Sequence, residues 1–163
     1  MVPAVIGVAI ALGSHQWVAY AADVPTDSMN PTIPAPCYVV VDKLATELAR
    51  PYRGEVVLFH FPDDPSQIYV KRIIGMPGDT VKVTYDHIYI NGKLLSEPWP
   101  HGANEYGLGT YHVPSGHYFM MGDNRPVSFD SRFWQHPYVA RSAIIGQAQY
   151  VFLPLSKLGA IQQ

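Results

Sequence analysis

The chain of 163 residues is long enough for one domain with a substantial core and too short for two ordinary ones. Hydrophobic residues make up 48% and charged residues 15%, which excludes a disordered chain and leaves apolar surface for a membrane contact. A formal net charge of -2, with no run of Lys or Arg, excludes the electrostatic footprint of a nucleic-acid binder.

Residues 1–22 contain no Asp, Glu, Lys or Arg, and residues 2–13 carry no polar side chain. A membrane span needs about 20 apolar residues, and Ser14-His15-Gln16 interrupts this stretch near its middle. Three readings fit: a single anchor, a cleaved signal peptide, or an apolar helix lying on the membrane. Ala19-Tyr20-Ala21 has the small-x-small form of a cleavage site, but a secretory signal opens with a basic region, and the first Lys or Arg here is Lys43. An anchor over 1–22 is therefore the favoured reading, followed by one β-rich domain over 23–163. Self-processing at Ala19-Tyr20-Ala21 is a further expectation. The positive-inside rule does not orient a segment without basic flanks.

Fifteen prolines and thirteen glycines set between short Val/Ile/Tyr runs predict a mainly β, turn-rich fold. Strands are expected over 38–42, 55–61 and 67–74, with a short helical link around 46–49. Residues 33–41 fit a core strand with a proline-rich lead-in and, equally, a segment dipping into the membrane surface. Residues 80–85 and 87–90 alternate and form a hairpin, with Asn91-Gly92 as the next turn. Residues 93–116 are expected to be a surface loop, 118–121 a short strand, and 143–152 the closing strand. Cys37 is the only cysteine, so an internal disulfide is excluded, and its apolar setting suits a buried residue. The seven histidines show no paired spacing that would fix two ligands on one element, so no metal and no cofactor are expected.

Strand alternation puts Lys71 on one face with Tyr69 and Ile73. Burial there disfavours the ammonium, and a working pKa near 7 to 8 requires roughly 3 to 5 kcal/mol from the surroundings. A lone strand lysine ordinarily snorkels to the surface, and Ser28, between Asp27 and Met29 in a proline-flanked stretch, ordinarily caps a turn. Both readings stay open on these residues alone.

Three motifs in chain order change the balance: Ser28-Met-x-Pro-Thr32, Tyr69-x-Lys-Arg-x-x-Gly-x-Pro-Gly-Asp79, and Gly122-Asp-Asn-Arg-x-x-Ser-x-Asp-Ser-Arg132. Together with Arg53-Gly-Glu-Val-Val-Leu-Phe59 they resemble the signature boxes of the type I signal (leader) peptidases, over about residues 24–152. The resemblance implies a compact, antiparallel β-barrel-like catalytic domain behind an N-terminal transmembrane helix. It also implies a single-pass protein of a bacterial cell membrane whose catalytic domain is extracytoplasmic and removes signal peptides from exported precursor proteins. Its partners would be those precursors and the lipid bilayer, with no nucleic acid and no metal.

The same resemblance implies Ser28 as nucleophile and Lys71 as general base, with the Ser28 amide and the Thr26 hydroxyl as oxyanion donors. Ser128 would hydrogen-bond and orient Lys71, and the Asp130–Arg132 ion pair would support that loop. Val24, Met29, Ile33, Tyr69 and Val70 match positions lining shallow pockets for alanine-sized side chains. Asp27 resembles the acidic residue of Gram-positive members, whereas Pro126, Val127 and Gln135 depart from the usual pattern. The short 79–118 segment implies that the large inserted β-domain of some relatives is absent. Two other readings are a Ser/Lys self-cleaving repressor, which the apolar N-terminus disfavours, and a catalytically silent peptide-binding β-module at the membrane.

Overall fold

The run Val56–Phe61 is buried at every position but His60, because it lies between strands and has core on both faces. In the computed structural model, which describes residues 19–163, this strand is β3. Before it come β1 (Ala19–Val24), a 3-10 turn (Asp27–Met29), β2 (Cys37–Asp42) and helix α1 (Lys43–Leu48). After it follow β4 (Asp64–Gly75), β5 (Thr80–Val83), β6 (Ile88–Ile90), β7 (Lys93–Leu94), β8 (Gly109–His112), β9 (His117–Met121), β10 (Tyr138–Ala140), β11 (Ile144–Leu153) and β12 (Gly159–Ala160).

The main sheet has the order β1-β2-β11-β3-β4-β9-β10, with β12 added to β11. A smaller sheet has the order β7-β6-β5-β8. All pairs in both sheets are antiparallel. The main sheet ends at β1 and β10, so the expected barrel-like closure is replaced by an open sheet. Register shifts in β11 and β4 increase local twist and bend these long strands around the core.

Alternation along β3 serves two cores. Val56 and Leu58 join Val24, Met29, Ile33, Val39 and Val70 on one side, while Val57, Phe59 and Phe61 join Ile73, Met120 and Trp134 on the other. A third cluster, including Ile74, Val81, Ile88, Phe119 and Met121, fastens the small sheet to the large one.

Three further sequence expectations change. Ala19–Val24 is a strand paired with β2, so residues 19–22 are not the end of a helix, and the Ala19-Tyr20-Ala21 pattern sits within a ladder. The rest of the expected anchor, residues 1–18, lies outside the described residues; among those described, no helix is long and apolar enough to cross a membrane. The helical link begins earlier, at Lys43, because the Asp42 side chain accepts from the Ala45 amide and caps it. Residues 93–116 contribute β7 and β8, which convert the expected hairpin into a four-stranded sheet; two-residue β7 and the half-exposed β8 leave almost no sequence signal.

Residues 33–41 resolve toward the core reading. Ile33, Val39 and Val41 are fully buried, and Cys37 is buried at the start of β2.

Candidate active site

β1 leads directly into the serine. Thr26 has extended backbone geometry and begins the 3-10 turn that holds Ser28 and Met29, both buried. Met29 and Ile33, expected as pocket residues, are fully buried in the core, and neither is among the residues that border the cleft beside the turn. They are apolar residues following a tight turn, and the Ile33 amide donates to the Met29 carbonyl at 2.8 Å, which folds both inward.

Opposite, β4 carries Lys71. It pairs with β3 through Val57, and β9 joins its other edge only at Arg72, Ile73 and Gly75. Among the described residues no strand pairs with the outer edge at residues 67–71, which leaves its backbone groups placed to meet an added strand. Tyr69 packs with the cluster containing Ile73, while Val70 packs with the other, as the alternation predicts.

The two residues meet. Lys71 Nζ donates to Ser28 Oγ at 2.6 Å, and both side chains are buried. Burial of the amine pulls the Lys71 pKa down from 10.5 to about 8, against the opposing pull of the Asp130 and Asp123 carboxylates and with a small assist from Arg132. The Lys71 amine also lies 5.6 Å from the centre of the Tyr69 ring. Thr26 Oγ1 stands 3.5 Å from Ser28 Oγ, at the rim of the same turn.

A cleft of about 800 Å³ runs from Tyr20 and Ile68 to this pair. Val24, Leu58, Tyr69 and Val70 form apolar wall, and Thr26, Ser28 and Lys71 lie along it. Three of the five expected pocket residues, Val24, Tyr69 and Val70, thus border the cleft.

Ser128 is buried close by, and its amide donates to the Asn124 carbonyl at 2.9 Å. Among the described residues its Oγ has no hydrogen-bond partner, and the expected bond to Lys71 is not formed. Asp130 and Arg132 do form the expected pair: Arg132 Nε donates to Asp130 Oδ1 at 2.8 Å and Nη2 to Oδ2 at 2.9 Å. Asp130 Oδ2 also accepts from the Gly122 amide at 3.0 Å. The pair therefore ties the two ends of the third motif together.

Several residues escaped the sequence reading. Arg72 and Asp123 form a wholly buried bidentate pair at 2.8 and 2.6 Å. The signal was present, since opposite charges stand beside Lys71 in the second motif and beside Gly122 in the third. Arg125 is also buried and paired with Glu97, from a stretch read as loop. Asn124 binds the serine turn twice, its amide donating to Ser28 O at 3.1 Å and its side chain to Asp27 O at 3.0 Å. Val127 and Phe129 point outward on either side of Ser128 and border the cleft.

Comparison with known proteins shows which family the chain belongs to. The family model "Signal peptidase, peptidase S26" matches residues 1–153. Signal peptidase I of Leptolyngbya laminosa is 37% identical over 163 residues, covering 96% of this chain and 79% of that protein. Signal peptidase I of Bacillus amyloliquefaciens is 37% identical over 161 residues, covering 92% of this chain and 82% of that protein. The crystal structure of a signal peptidase I from Enterococcus faecalis V583 superposes with a TM-score of 0.51 at 34% identity, over 61% of this chain and 97% of that one. A match of this extent shows that the chain belongs to the signal peptidase family, peptidase S26, and is a serine-protease hydrolase.

Proposed function

We propose that this chain is a membrane-anchored endopeptidase that removes signal peptides from exported precursors after small-x-small sites, with Ser28 as nucleophile and Lys71 as general base. The observation that carries the reading is the 2.6 Å contact between Lys71 Nζ and Ser28 Oγ, made inside protein where the amine titrates near 8.

With Lys71 neutral, the direction of that hydrogen bond reverses, and the serine hydroxyl donates to the amine. Ser28 Oγ then attacks the scissile carbonyl while Lys71 takes its proton. The developing oxyanion is met by the Ser28 amide and the Thr26 hydroxyl, donors whose individual removal commonly costs roughly 3 to 4 kcal/mol. The Lys71 ammonium returns the proton to the departing amine, leaving an acyl ester on Ser28. Neutral again, Lys71 takes a proton from a water as that water attacks the ester, and the ammonium so formed hands the proton to the departing Ser28 Oγ, which frees the product acid and restores both residues. No histidine is needed.

The substrate reading follows from the cleft. An extended peptide laid between β1 and the unpaired edge of β4 receives backbone hydrogen bonds on that edge, and alternate side chains turn toward the floor. Val24 and Val70 leave room there for small side chains. Met29 and Ile33 back this floor from the core. An anchor in residues 1–18 would hold the cleft near precursors that are themselves held in the bilayer, raising their effective concentration.

The test is cleavage of a purified secretory precursor in detergent by the wild type, Ser28→Ala and each His→Ala variant. The reading expects loss of cleavage in Ser28→Ala alone. Abolition by a folded histidine variant would assign the base elsewhere.

A further inference from the structure

The family match ends at residue 153, yet the following residues pack against the strand that bears Lys71. After β11 the chain makes a 3-10 turn (Leu155–Lys157), and β12 then pairs with Tyr150 and Val151. Ile161 is buried in the cluster that holds Met29, Val56 and Val70. Its amide donates to the Gln149 carbonyl at 2.8 Å.

The last two residues are tied in more firmly. The Gln163 side-chain carbonyl accepts from the Val56 amide at 2.7 Å, and its side-chain amide donates to the Ala148 carbonyl at 2.8 Å. The Gln162 side-chain amide donates to the Pro98 carbonyl at 2.9 Å. Its backbone carbonyl accepts from Arg72 Nη1 at 2.8 Å.

Arg72 is the point of contact with the site. A guanidinium has five N–H donors, and here four bonds run to Asp123, Gly54 O and Gln162 O. The Trp99 ring lies 4.5 Å away from the guanidinium carbon. Arg72 follows Lys71 in β4, and Asp123 precedes Asn124, whose amide holds the Ser28 carbonyl. The tail thus reaches Lys71 through its neighbour Arg72, and Ser28 through the chain Arg72, Asp123 and Asn124. Without Gln162 O, a buried N–H of Arg72 must remain unpaired or recruit water into a dry region beside Lys71.

We propose that residues 159–163 form a positioning element of the active site: the Gln162 carbonyl completes the shell of Arg72, Gln163 fastens the tail to β3, and together they keep Lys71 dry and aligned with Ser28. The role assigned to alignment rests on the signal-peptidase reading above, whereas the environment of Lys71 can be measured without it.

Two variants of the full chain in detergent test this, one ending at Ala160 and one carrying Gln163→Ala. Competitive acetylation of Lys71 with isotopic acetic anhydride, read by mass spectrometry from pH 6 to 11, reports its titration whether or not precursors are cleaved. Precursor cleavage gives kcat and KM in parallel, well below each variant's melting temperature. The shortened chain is expected to titrate Lys71 at least about half a pH unit higher, with kcat lowered about tenfold or more and KM within about twofold. Gln163→Ala should move both readouts the same way by less. An unchanged Lys71 midpoint in folded shortened chain, or in Gln163→Ala if the shortened chain does not fold, overturns the proposal. A wild type that cleaves no precursor would sink the peptidase reading and leave the acetylation midpoints to decide this one.

Discussion

The backbone amide of Asn124 donates to the carbonyl of Ser28 at 3.1 Å, so the third motif holds the turn that presents the serine. The Asn124 side chain repeats the connection at Asp27, 97 residues away in sequence. Serine position is therefore set by a loop that also carries Ser128, Asp130 and Arg132.

Gly122 makes that approach possible. A Cβ at this position would lie 2.2 Å from Ser128 Oγ and 2.3 Å from the Ser28 carbonyl oxygen. Gly122→Ala is expected to push the serine turn and the loop apart, lowering kcat about a hundredfold at a stability cost of about 1 to 3 kcal/mol. Steady-state kinetics and urea denaturation check both, and a variant with wild-type kcat would show that the contact is not needed.

The Arg72–Asp123 pair is fully buried, with Thr32 Oγ1 also donating to Asp123. Arg72→Met leaves that carboxylate without its cation and should cost about 3 to 5 kcal/mol. Arg72→Met with Asp123→Leu should lose less than the sum of the two single changes, because neither charge is then stranded. Urea denaturation of the four proteins measures this, and a single-variant loss under about 1 kcal/mol contradicts the role given to the pair.

How much of this was legible in the sequence depends on whether a feature was local. The strands around Val56–Phe61 and Lys71 could be read from β-branched runs between Gly/Pro turns, and the three motifs are contiguous. Barrel closure was not readable, because closure depends on whether the terminal strands β1 and β10 find partners. The inward direction of Met29 and Ile33 was lost for a related reason: apolar residues after a turn serve equally as floor or as core until the turn's hydrogen bonds are known. Asn124, Arg72 and Asp123 were in plain view within the motifs, but their partners lie in other motifs or, for Gln162, in the tail.

Ser128 separates stability from activity. Its hydroxyl is buried without a hydrogen-bond partner among the described residues, so Ser128→Ala should leave stability unchanged or raise it by about 1 kcal/mol. If the hydroxyl turns to Lys71 during the reaction, the same change lowers kcat at least about tenfold. Equal kcat in wild type and Ser128→Ala would make it an ordinary turn serine.

Lys71 itself should cost stability. Its folded pKa, about 8, lies below the unfolded value of 10.5, so between those pH values the unfolded chain binds more protons and stability rises with pH. Below pH 8 the whole cost applies, about 3 kcal/mol. Lys71→Met is expected to resist urea better than wild type at pH 7, with the gap narrowing as pH rises through 8 to 10.5. A wild type more stable than Lys71→Met at pH 7 contradicts the burial argument.

The most direct test of the central claim is kcat/KM for precursor cleavage between pH 6 and 11, with Lys71→Ala measured alongside. At pH 7 a lysine titrating near 8 is about one-tenth neutral, against roughly one part in three thousand for an ordinary lysine. The account expects activity to climb through an acid limb near pH 8 and Lys71→Ala to be inactive. A profile flat across this range, a limb near 10.5, or near-wild-type cleavage by Lys71→Ala would contradict a buried lysine base acting on Ser28.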